Sequence, residues 1–109
     1  AFAGWHAEHD EISHQDAAQL TEGQRVEVSR LERRLHDAGY DDIRPRLLGL
    51  FLGDRVLVAS ARRDGIEGTA MIDADRIEWR QRGAVARPLD AETEYCIYKG
   101  RRMLRAFNE

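Results

Sequence analysis

VSRLERRLHDAGYDDIRPRLLGLFL, residues 28 to 52, contains two hydrophobic periods in one run, and the change between them decides the fold. Val28, Leu31, Leu35 and Ala38 recur at helical spacing and form one stripe, with Glu32, Arg33, Arg34 and Asp37 turned to water. Ser29 followed by Glu32 spells a capping box, so a helix is expected from about Arg30. Gly39 closes it, because a residue without a Cβ adopts the left-handed conformation at no steric penalty. Beyond Gly39 the period falls to two. Ile43 to Leu52 is then the first of four strand candidates, followed by Arg55 to Ala61, Ile66 to Asp73 and Arg76 to Arg82.

The links between these strands are Gly53-Asp54, Arg63-Asp64-Gly65 and Ala74-Asp75, all turn chemistry, and links this short join antiparallel neighbours. In the second strand both Val56, Val58 and Leu57, Ala59 are apolar, which predicts a central position; in the fourth, Ile77 and Trp79 share one face against Glu78 and Arg80. The expected class is α+β: one or two helices packed on one face of an antiparallel β-sheet, a meander of four or more strands. Its predicted core sets Val28, Leu31 and Leu35 against Leu48, Leu50, Val56, Val58, Met71, Ile77 and Trp79.

Working outward, HQDAAQL (14–20) reads as a short leading helix stopped at Gly23, and RVEV (25–28) as an extended step. After Gly83 and Pro88, EYCIYKGRRMLRAF (94–107) reads as a hairpin turning at Lys99-Gly100, although its second half also suits a helical turn. With 109 residues the chain fits one domain, spanning 14–109 with a carboxy-terminal extension from about 83, preceded by an arm over 1–13.

Composition narrows the function classes. The longest apolar run, Leu47 to Leu52, is far short of the ~20 residues of a membrane span. A formal charge of −3 from 17 basic and 20 acidic residues provides no long-range field toward nucleic acid or anionic lipid. The single cysteine, Cys96, excludes an internal disulfide and a cysteine-only zinc site, and its setting between Tyr95 and Ile97 reads as a small core residue. Ser13, Ser29, Ser60 and Cys96 stand in no nucleophile motif, and GDR and DGIEG lack the strand-loop-helix setting of a phosphate loop. The chain therefore reads as a non-enzyme.

Two clusters remain. His6, His9 and His14 lie among Glu8, Asp10 and Asp16, a donor set for Zn or Cu, or else a solvated terminal arm. Ala1-Phe2-Ala3 has the small-x-small pattern of a signal-peptidase site; cleavage after Ala3 would expose Gly4-Trp5-His6, a chelator of Cu(II) or Ni(II). In the tail, Tyr98, Lys99, Arg101, Arg102 and Arg105 mix cations with aromatic rings, as protein-docking patches and single-stranded nucleic-acid sites do, or else form a solvated hairpin tip, which the acidic balance favours; of the two binding readings, the enrichment of arginine and tyrosine at partner surfaces favours protein.

The stretch from His14 to Trp79 resembles the PepSY domain of secreted and periplasmic bacterial proteins. The resemblance is carried by HQDAAQLTEG, similar to that family's leading helix; by VSRLERRLHDAGYDDI, similar to its main helix with an AGY-x-x-I exit; by the RRDG turn; and by MIDAD, similar to its V-D-A strand end. Asp75-Arg76 stands where members commonly carry threonine-glycine, and the segment after Gly83 has no counterpart. The resemblance implies a periplasmic or secreted location and a binding role, regulating proteases or sensing at the envelope through a protein or peptide partner, with no catalytic set and no cofactor. The alternatives are a periplasmic Cu, Ni or Zn binder through the histidine cluster, and a nucleic-acid or protein adaptor through the basic tail.

Overall fold

In the computed structural model, which describes residues 20–83 and 89–108, the chain enters its first helix at Thr21. The Thr21 hydroxyl accepts from the Gln24 N–H at 3.2 Å and the Gln24 side chain accepts from the Thr21 N–H at 2.9 Å. This capping box, upstream of the expected one at Ser29, opens α1, Glu22–Asp37. Gly23 therefore lies in the first turn instead of ending a helix, and residues 25–28 are helical instead of extended. The Val-Glu-Val alternation misleads because Val28 is buried while Val26 is 60% exposed. A valine costs a helix at most ~0.7 kcal/mol, less than the ~1 kcal/mol a good cap contributes. Gly39, at φ 100°, ends α1 as expected.

The sheet follows in chain order: β1 (Tyr40–Phe51), β2 (Asp54–Arg63), β3 (Ile66–Ile72) and β4 (Ile77–Gln81), each antiparallel to the next. Leu52 and Gly53 form the first turn and Asp64 and Gly65 the second, all at positive φ, the requirement of tight hairpins whose twist matches that of the strands. Asp73 builds the third link. Its Oδ1 accepts from the N–H groups of Asp75 and Arg76 at 2.7 and 3.0 Å.

Side-chain alternation divides the sheet into two faces. On one, Leu48, Leu57, Ala59, Ala70 and Ile72 meet Val28, Leu31 and Leu35 of α1, flanked by Leu50, Ile77 and Trp79. Tyr40 and Trp79 close this face with ring centroids 5.2 Å apart. On the other, Leu47, Phe51, Val56, Val58 and Met71 meet Tyr95 and Tyr98. Val56, Val58 and Met71 thus belong to a second core, as the two apolar sides of β2 require.

That second core is closed by α2, Ala91–Asn108, a continuous helix where the sequence pattern suggested a hairpin. Asp90 caps it by accepting from the Thr93 N–H at 2.7 Å. Tyr95 seats against Gly49, where a Cβ would overlap its ring, so the strand glycine makes room for the helix. The tail is accordingly not an appendage: it covers the face that α1 leaves bare. The α+β class stands, with helices packed against a four-stranded antiparallel sheet. Among the described residues no helix is long and apolar enough to cross a membrane.

Candidate functional site

The part of the α2-side face near Ser60 and Thr69 lies against a concavity of about 550 Å³. Its wall is dominated by guanidinium groups: Arg44 and Arg46 from β1, Arg80 from β4, and Arg82 just beyond it. Ser60 and Thr69 contribute hydroxyls, and Leu89 and Glu94 close the side toward α2.

Each arginine is held differently. Arg80, 14% exposed, donates from Nε to Glu94 at 2.9 Å, and Glu94 is itself 2% exposed. Its Nη2 is buried and has no hydrogen-bond partner among the described residues. Arg82 and Arg62 both pair with Glu67, and chiefly the Arg82 hydrogen bond holds that carboxyl below its ordinary range. Arg44 lies 3.5 Å from Asp42. Arg46 donates to the carbonyl oxygen of Leu89 at 3.1 Å, so its charge faces a neutral acceptor. The Asp90 carboxyl is lowered first by its bonds to Thr93 and less by the Arg46 charge. Four guanidinium groups face the carboxylates of Asp42, Glu67 and Glu94, which leaves a positive excess suited to a carboxylate or another anion.

No family model, curated protein or solved structure matches the chain. Its site is defined by geometry alone.

The tail residues singled out from sequence do not line this concavity. His6, His9 and His14 lie outside the described residues; among those described, no group of three or more His, Cys, Asp or Glu side chains is arranged to hold a metal. The tail set falls on α2 and largely turns inward. Tyr98 is fully buried, and Lys99 holds its ammonium 4.6 Å from the Tyr95 ring centroid. Arg102 pairs with Asp54 and, at 3.2 Å, with Asp73, while its guanidinium lies 5.5 Å from the Phe51 ring centroid. Arg105 pairs with Glu78 at 2.7 Å. Arg101 is the member of the set that is exposed. Cys96, expected in the core, is an exposed free thiol.

In sequence, each of the four arginines of the concavity has the pattern of an ordinary solvent-side residue of an amphipathic strand. One signal was present. Arg-x-Arg occurs twice, as Arg44-Pro45-Arg46 and Arg80-Gln81-Arg82, and spacing of two returns a strand side chain to the same face.

Proposed function

We propose that this chain is a non-enzymatic binding and regulatory domain of the bacterial cell envelope, periplasmic or secreted, that holds an acidic segment of a protein or peptide partner. The observation that carries the reading is the arginine-lined concavity over part of the sheet. Arg46 spends its hydrogen bond on a neutral carbonyl, with the Asp90 carboxylate nearby and already satisfied by Thr93, and Arg80 keeps an unbonded Nη2, so two guanidinium groups retain donor capacity for a carboxylate. Charge-assisted hydrogen bonds of this kind contribute about 1.5–3 kcal/mol. The PepSY resemblance of the stretch from His14 to Trp79 is what supports export and a protease-regulating or envelope-sensing role.

Titrating the labelled protein with extended glutamate-bearing peptides, followed by NMR, tests the binding. The amides of Thr69 and Arg80 are expected to shift, lysine-bearing peptides to have no effect, and Arg46→Ala and Arg82→Ala each to weaken binding by about tenfold, or ~1.4 kcal/mol. Spectra unmoved by peptide excess would sink the concavity as a site. Fractionation of the full-length protein in its host tests the location, and recovery in the cytosol alone refutes it.

A further inference from the structure

The sheet has two edges of different kinds. β1 carries Pro45 and two register irregularities, at Asp41/Arg44 and Pro45/Leu47, devices that discourage strand addition. β4 has neither: it pairs with β3 without a break from Ile77 to Gln81, and no described strand lies on its other side.

The hydrogen bonds fix which main-chain groups of β4 face outward. Arg82 N–H donates to Glu67 O at 2.8 Å and Asp73 N–H to Arg76 O at 3.1 Å, so Arg82 and Arg76 are bonded positions of the ladder. Bonded positions alternate in an antiparallel pair. Glu78 and Arg80 therefore bond to β3, and the N–H and C=O groups of Ile77, Trp79 and Gln81 point away from it.

We infer that β4 pairs with β4 of a second copy of this chain, antiparallel about a twofold axis at Trp79, joining two sheets into one. Among centres at the three middle residues of β4, the charge pattern selects this register. Centred on Trp79, Glu78 of each copy stands opposite Arg80 of the other and Ile77 stands opposite Gln81, with the three outward main-chain sets aligned. A centre at Glu78 opposes two glutamates, and a centre at Arg80 opposes two arginines; like charges directly opposite are destabilising. The next pair outward, Arg76 with Arg82, ends the match. The twofold preserves faces, so the half-buried Ile77 and Trp79 of both copies form one apolar strip on the α1 side.

Sedimentation equilibrium over a range of concentrations, combined with hydrogen exchange, tests this on the full chain. The expected result is a monomer–dimer equilibrium in which the amides of Ile77, Trp79 and Gln81 exchange slowly in the dimer and fast on dilution. Gln81→Pro deletes an outward N–H without touching the β3 ladder, and is expected to give a folded monomer with an unchanged circular dichroism spectrum. Arg46→Ala, which alters only the concavity, is expected to leave the dimer intact, so this inference and the proposed ligand site fail separately. A monomer at every concentration overturns the pairing. So does protection of the three amides in dilute monomer, which would mean that the chain covers its own edge, or a dimer that survives Gln81→Pro.

Discussion

α1 and α2 grip opposite faces of one sheet by different chemistry. Under α1 the contact is aliphatic: Val28, Leu31 and Leu35 on Leu48, Leu57 and Ile72. Under α2 two tyrosines are framed by ion pairs, Arg80 with Glu94, Glu78 with Arg105, and Arg102 with Asp54 and Asp73. An aliphatic contact stabilises by area and tolerates a slide of the helix. A seam of ion pairs stabilises little beyond its desolvation cost but loses heavily when one partner is removed, so it fixes where α2 sits.

The largest expected effect follows from that asymmetry. Glu94→Leu strands the buried Arg80 charge and is expected to cost about 3–5 kcal/mol in urea unfolding, while Glu94→Leu with Arg80→Met recovers most of it. A double variant as unstable as the single one would erase the distinction between the faces. On the α1 side, Leu35→Ala, at a fully buried position, is expected to cost about 2–5 kcal/mol with no partner change able to compensate. A loss below 1 kcal/mol would show, by the same yardstick, that α1 is not anchored by its stripe.

Smaller changes sharpen the contrast. Gly100 lies within α2 with open space where a Cβ would project, so Gly100→Ala is expected to stabilise by about 1 kcal/mol, read as a rise in urea midpoint at constant m-value. Acid separates the faces by sign. Glu67 and Asp90, beside the concavity, have lowered folded pKa values, so their contribution is present above the unfolded values and is lost as pH falls through the folded ones. Glu32 on α1 is raised by desolvation, so its effect runs the other way: stability is favoured below the unfolded value and lost as pH rises through the folded one. NMR titration of the three carboxyls is expected to place Glu67 and Asp90 below, and Glu32 above, the ordinary range.

The same contrast explains what could be read from the chain. The stripe of α1 and the alternation of β2 are apolar periodicities, and both strand order and the closing Gly39 were legible from them. α2 was not, because its inward stripe runs Glu94, Tyr95, Tyr98, Arg102, Arg105: helical in spacing but mostly charged. Charged residues count as solvent-facing until their partners are known, and those partners, Glu78, Arg80, Asp54 and Asp73, come from distant strands. Only the folded chain brings the Arg44, Arg46, Arg80 and Arg82 pairs together into one wall.

Asp73 ties the two sides to each other. Its carbonyl oxygen accepts from Arg34 of α1, its Oδ2 meets Arg102 of α2, and its Oδ1 holds the β3–β4 link, all from a residue 1% exposed. Neither helix can lift away without disturbing the other's anchor, so unfolding is expected as one cooperative event. Asp73→Ala keeps the carbonyl that Arg34 uses but removes both carboxylate contacts, and should let α2 open ahead of α1 in native-state exchange, turning a rivet shared by both helices into a one-sided hinge.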